Sequence, residues 1–349
     1  MIRFSAFILV LALAPLALAA EPDKDGYVPL FDGKTLAGWH NVNGHPSTFY
    51  VKGNEIITTG KPTGFLRTDK QYENFVLEME WMHVEKEKMA NSGLFVWGDP
   101  IPAIGSGYTR GIEVQVLINY KTDWATSHGD IFSIWGAICT PDRPHPKGYA
   151  RCLPSEDRVK GGGEWNHYKV IANDGAIKLH VNGKEVSGVS KCNPRKGYLA
   201  LESEGAECHF RNLKIKETPS TNPKPAEVAN LAVGHELLIN GIDLEGWQTE
   251  KGAWTMSDGI LRPKGTAPLT TAKPLAPGEL IFDWKLPGKG EAKYAFQAAV
   301  GDGGAPMVTG KAGEWNRATI ALREKGSPVF PAATGLEIRN VCYRAIKEK

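Results

Sequence analysis

The chain has 349 residues, 42% hydrophobic and 23% charged, the balance of a globular protein with room for two domains. A formal charge of +2 supplies no field to hold nucleic acid or an anionic membrane surface, so neither is an expected partner.

The chain opens with MIRFSAFILVLALAPLALAA, one arginine followed by an uncharged apolar run that closes on Ala17-Leu18-Ala19. That order predicts an export signal over residues 1–20, with an apolar run short for a membrane span. An exported protein, periplasmic or extracellular, is expected, free of the membrane once the signal is removed.

From there the regular patterns are those of strands. Apolar and polar residues alternate over Val76–Val84, Gly111–Leu117 and His167–Ile171, a period of two that leaves one face for a core. Asp174-Gly175 and Asn182-Gly183 sit between such runs and predict hairpin turns, where both residues need positive φ. With 39 glycines and 23 prolines and no capped amphipathic helix, the expectation is an all-β sandwich of face-to-face sheets.

Three blocks recur in the same order. FDGKTLAGW (Phe31 to Trp39) returns as INGIDLEGW (Ile239 to Trp247), GEWNHYKV (Gly163 to Val170) as GEWNRATI (Gly313 to Ile320), and HFRNLKIKE (His209 to Glu217) as EIRNVCYRA (Glu337 to Ala345). Ordered repetition argues for a tandem duplication. The expected units are residues 21–217 and 230–349, joined by a proline-rich linker over 218–229 that includes TPSTNPKP. Proteolysis is expected to cut there. Trp165 and Trp315, each opening a strand after a glycine turn, are expected to pack into the core. The second copy is shorter between its landmarks, so chemistry is expected in what only the first copy has.

That stretch is rich in candidates. Along a strand, Glu113 and Gln115 point one way while Ile112, Val114 and Val116 point the other, which suits a strand lining an open cleft. His128 and Asp130 are two apart and share a face if extended, either as acid and base or as ligands of a divalent metal. Arg143 and His145 lie in a proline-rich loop. Glu202 and Glu204, in LALESEG, again share a face. Five cysteines match no zinc spacing; Cys139 and Cys152 flank the loop TPDRPHPKGYAR and are an expected disulfide. No nucleophile elbow, metalloprotease helix or phosphate loop occurs, and GSGYTRG (Gly105 to Gly111) lacks the spacing of a dinucleotide fingerprint.

Together FDGKTLAGWH, ANSGLFVWG, RGIEVQVL, GEWNHYKV and YLALESEGAECHFRNLKIKE resemble the 3-keto-disaccharide hydrolase domain family over Tyr27 to Glu217. The resemblance implies a concanavalin-like jelly roll, followed here by a smaller degenerate repeat. It also implies cleavage of glycosides oxidised at C3 of the sugar, by exported bacterial proteins. A C3 ketone acidifies the C2 proton, so a base removes it, the C1 substituent leaves and water adds to the enone. The reaction needs a base, an acid for the leaving oxygen and a charge acceptor. The residues assigned to it are His128 as base or metal ligand with Asp130, Glu113 as acid–base or clamp, Arg143 as oxyanion partner, and Glu202. Candidate substrate contacts are Gln115, Asn91, Trp97, Arg110, Glu204 and His145. No cofactor is required beyond that divalent metal, which stays open. A lectin-like binding module and an ordinary endo-glycanase on the same fold remain as alternatives.

Overall fold

Strand Phe75–His83 alternates buried and half-buried residues along its whole length and pairs antiparallel with Asn166–Asn173 on one side and Cys208–Glu217 on the other. These strands form the middle of a nine-stranded sheet. A seven-stranded sheet faces it, in the order Arg151–Cys152, Ile131–Ile134, Gly111–Ile118, Ala90–Gly98, Tyr198–Ser203, Gly64–Thr68, Trp39–Val42. The computed structural model describes residues 21–229, 234–297 and 307–346; the expected export signal lies outside the described residues. Among them the only helix is a single 3-10 turn, Pro225–Glu227, and no helix is long and apolar enough to cross a membrane.

The period-two pattern is what joins the sheets. Leu77, Met79, Trp81, Tyr168 and Val170 from one sheet meet Leu94, Val96, Ile112, Val114 and Leu201 from the other, each large side chain adding about 1.5–3 kcal/mol on burial. Both expected hairpins form, with Asp174 and Gly175 at φ 48° and 73° and Asn182 and Gly183 at φ 47° and 89°. The first half is a jelly-roll sandwich.

The second half is a smaller all-β sandwich. Gly278–Lys285 pairs with Asn316–Leu322 and Glu337–Ala345 over a separate core that includes Trp254, Phe282, Trp284 and Phe330. The duplication is visible atom by atom. Trp39 Nε1 donates to Leu30 O and Trp247 Nε1 to Leu238 O, both at 2.8 Å. Asn166 Oδ1 accepts from Lys160 N and Asn316 Oδ1 from Lys311 N, again both at 2.8 Å. Asn212 and Asn340 each take positive φ, 54° and 52°.

Two expectations are corrected here. Trp165 and Trp315 are half-buried, outside the cores: Trp165 lies under the Arg211 guanidinium at 3.8 Å, and Trp315 near Lys285 and Arg339. In the first copy the inward residue of GEWN is the asparagine, Asn166, whose amide clamps the preceding turn, so alternation turns Trp165 out. The cysteines are all free thiols. Cys139 Sγ contacts Ala150 O and Cys152 Sγ lies against Gly188 N, so backbone contacts hold the loop between them. Thiol titration of the unreduced, denatured protein is expected to count all five; a count of three would mean the disulfide forms after all.

The proline-rich segment is tied to the first sandwich. Ser220 and Thr221 donate to the Glu73 carboxylate at 2.6 and 2.7 Å, and Ala229 N donates to Lys196 O at 2.7 Å.

Candidate active site

Strand Gly111–Ile118 is buried at every residue, where an open polar face was expected. The second face of its sheet has its own apolar cover, in which Val42, Phe65, Phe95 and Ala200 meet Tyr108 and Leu237. Glu113, Gln115 and Glu202, on that face, are themselves buried, 6%, 5% and 2% exposed.

Register brings them together. Glu113 lies opposite Phe95 and Gln115 opposite Gly93, while the pairing of Leu201 with Leu94 sets Glu202 beside Gly93. A Cβ on Gly93 would stand 2.9 Å from both Glu113 Oε1 and Glu202 Oε2. The two oxygens are thus within twice that distance of each other, and only glycine leaves the space both occupy. Glu204 adds a third carboxyl group. It accepts from the Tyr108 hydroxyl at 2.8 Å and from Asn91 Nδ2, and Asn91 Oδ1 accepts from Gln115 Nε2 at 2.7 Å. On the far side, Phe132 is the cross-strand neighbour of Glu113 and Arg151 that of Phe132. The Arg151 guanidinium lies 3.5 Å over the Phe132 ring and donates to Asp130 at 2.8 Å.

Burial pushes the Glu113 carboxyl up to about 8, helped by the charge of Glu204 and opposed by Arg151. Burial and then Glu113 raise Glu202 well above the carboxylate range. Burial raises Glu204 too, against the donors Tyr108 and Asn91. Three carboxyl groups this close do not all ionise near neutral pH. Glu202 Oε2 is buried without a hydrogen-bond partner among the described residues.

The other candidates sit elsewhere. His128 Nε2 faces Asp157 at 3.4 Å, and burial lowers its pKa, keeping the ring neutral. Asp130 turns instead to Thr126 and Arg151, so the two do not share a ligand pair. No cluster of three or more His, Cys, Asp or Glu side chains suited to a metal ion occurs among the described residues. Arg143 donates to the carbonyls of Leu153 and Val186, bracing a loop on the opposite sheet. His145 bonds Trp124 O at 2.9 Å. Arg110 makes a bidentate pair with Asp99 at 2.9 and 3.1 Å. Trp97 is fully buried, its indole N–H spent on Glu73 O, and has no face left for a substrate. Gly93, Tyr108 and Arg151 were missed. A glycine inside an alternating strand is a legible sign of close approach; Arg151, on a two-residue strand, gave no such sign.

The profile of the 3-keto-alpha-glucoside-1,2-lyase-like domain matches residues 26–216, more than half of the chain and all of the carboxyl cluster. The chain belongs to this family. A 3-keto-disaccharide hydrolase of Bacteroides thetaiotaomicron is 22% identical over 248 residues, 57% of this chain and 81% of that protein. A solved structure from Parabacteroides distasonis, named as a proposed glycosyl hydrolase, covers 56% of this chain and 95% of its own at 23% identity, TM-score 0.43. A carbohydrate-binding module from Bacillus subtilis covers 52% and 96% at 14% identity, TM-score 0.38. By family the chain is a carbohydrate-active, glycosyl-hydrolase-like protein. The family match leaves residues 234–346 outside, so the lyase-like unit carries its whole carboxyl cluster within its own sequence.

Proposed function

We propose that the chain is exported and cleaves glycosides carrying a ketone at C3, by elimination across C1 and C2 followed by hydration. The observation that carries this reading is the pair of buried carboxyl groups over Gly93, one of them pushed up to about 8. A carbon acid beside a ketone needs a base stronger than an ordinary carboxylate, and a raised pKa supplies one. Glu113, with the Arg151 cation acting on it, is the group that ionises and takes the C2 proton. Glu202, held well above the carboxylate range by burial and the neighbouring Glu113, keeps its proton and delivers it to the glycosidic oxygen as the C1–O bond breaks. Water then adds across the enone, hydroxyl to C1 and proton to C2, and the two side chains return to their starting states. Gln115, Asn91 and Glu204 form a polar network suited to sugar hydroxyls.

The same pair supports a second reading. Oxygens within twice 2.9 Å accommodate the ~5–5.5 Å carboxyl separation of retaining glycosidases. Such enzymes also require one carboxylate ionised, as nucleophile, and one protonated, so the shifts bear on both reactions alike and the substrate separates them.

The test is a 3-keto-glucoside against the same glucoside unoxidised, both run in D2O. Release from the oxidised substrate alone, with deuterium at C2 of the product, is expected. Release from the unoxidised glucoside without label would establish the retaining reaction instead, and no release from either would leave a binding module.

A further inference from the structure

A cavity of about 440 Å3 is lined by Trp124, Phe132, Ser133, Tyr149, Ala150 and Arg151. It starts one strand from Glu113, because Phe132 is the cross-strand neighbour of that residue. Trp124 and Tyr149 leave 41% and 52% of their surface exposed and line one opening together, and grouped exposure of this kind marks a binding surface where scattered exposure does not.

The walls are fixed before any ligand arrives. His145 joins the two loops that make them, bonding Trp124 O at 2.9 Å and packing its ring 5.0 Å from that of Tyr149. Lys147 and Asp123 close the same junction at 2.9 Å. Arg151 is held by Asp130 at 2.8 Å and lies over Phe132 at 3.5 Å and Trp124 at 5.5 Å. A preformed site loses little entropy on binding.

The chemistry of the lining selects the occupant. A pyranose also stacks its C–H face on such rings, but its hydroxyls need several convergent polar partners, and here they would meet only Ser133, the Tyr149 hydroxyl and the Arg151 guanidinium. Aromatic faces with one immobilised planar cation suit instead a flat π-system, which stacks offset or edge-on against the rings and over the guanidinium. We propose that this cavity is the leaving-group subsite and takes a planar aromatic aglycone, making aryl glycosides the preferred substrates. Its role in leaving-group binding rests on the reaction proposed above; its preference for an aromatic ring does not.

Two measurements on the full chain test the inference. Titration with 2-naphthol by calorimetry is expected to show binding that weakens at least tenfold in Trp124→Ala and in Tyr149→Ala. Naphthol failing to bind the parent protein, or binding both variants as tightly, would overturn the aromatic site. So would cellobiose competing for the cavity at lower concentration than naphthol. The second measurement compares 4-nitrophenyl and methyl 3-keto-glucosides. Because leaving-group acidity cancels between variants, the aryl-to-methyl ratio of kcat/KM is expected to fall at least tenfold in Trp124→Ala; an unchanged ratio overturns the subsite. Naphthol binding that depends on Trp124, with neither glycoside cleaved, would keep the aromatic site and sink only the reaction.

Discussion

Glu113→Gln and Glu202→Gln are each expected to slow cleavage of a 3-keto-glucoside by about a hundredfold or more, with the fold intact. Both substitutions keep the shape of the side chain over Gly93 and remove its ability to exchange a proton. The Glu113 variant carries a second, opposite effect. Its carboxyl titrates near 4.5 when unfolded and about 8 in the folded protein, so the folded chain holds the proton more tightly. The stability this group contributes is therefore full below pH 4.5 and is lost as pH rises through about 8. At about 1.4 kcal/mol per unit of displacement, the loss is on the order of a few kcal/mol at pH 8. Glutamine has no such loss. The variant is expected to melt near the parent temperature at pH 4.5 and increasingly above it toward pH 8. In the parent enzyme, activity is expected to rise toward pH 8 as Glu113 ionises and to fall once Glu202 gives up its proton. Equal turnover in both variants and parent would place the chemistry elsewhere, and parallel melting curves would mean that Glu113 is not held protonated.

What sequence could say about this cluster follows from what is local. Side-chain parity along a strand needs no knowledge of the rest of the chain, and it puts Glu113 with Gln115 and Glu202 with Glu204. That these two pairs converge depends on strands pairing across Ala90–Gly98, and the glycine at 93 is the only local trace of it. Parity also misleads where a strand is irregular. Trp97 should share a face with Asn91 and Phe95, but its φ of 58° and the register shift opposite Gly98 turn it into the core beside Val96. Arg143 and His145 lie in a loop and had no parity to read, and the parity read for His128 with Asp130 fails because His128 lies in a turn; each found a local bonding role instead. The burial of Glu113 was invisible for another reason. The apolar cluster on that face of the sheet includes Tyr108 and Leu237, and the latter belongs to the second repeat.

That contribution from the second repeat leads to the other large effect, at Asp283. This side chain is fully buried and accepts from Arg317 Nε at 2.7 Å, Asn340 Nδ2 at 2.7 Å and Gly105 N at 2.9 Å. Gly105 belongs to the first sandwich, on the segment that carries Tyr108 to Glu204. The same segment is gripped by Arg317 at Pro102 O, by Arg339 at Gly105 O and by Asn340 at Ser106 O. Trp315 seats against Gly105 itself, where a Cβ would come within 2.3 Å of the indole. Asp283→Ala takes the carboxylate from Arg317, Asn340 and Gly105 N and leaves the Arg317 charge uncompensated; breaking a buried pair in this way costs about 3–5 kcal/mol. A melting temperature lowered accordingly is the first expected result. The second is kinetic: with its segment released, Tyr108 no longer fixes Glu204, so KM for the 3-keto-glucoside should rise while kcat, set by Glu113 and Glu202, changes less. Tyr108→Phe separates the two, because it should reproduce the rise in KM with little loss of stability. If Asp283→Ala melts early yet keeps the parent KM while folded, the second repeat stabilises the chain without positioning the site.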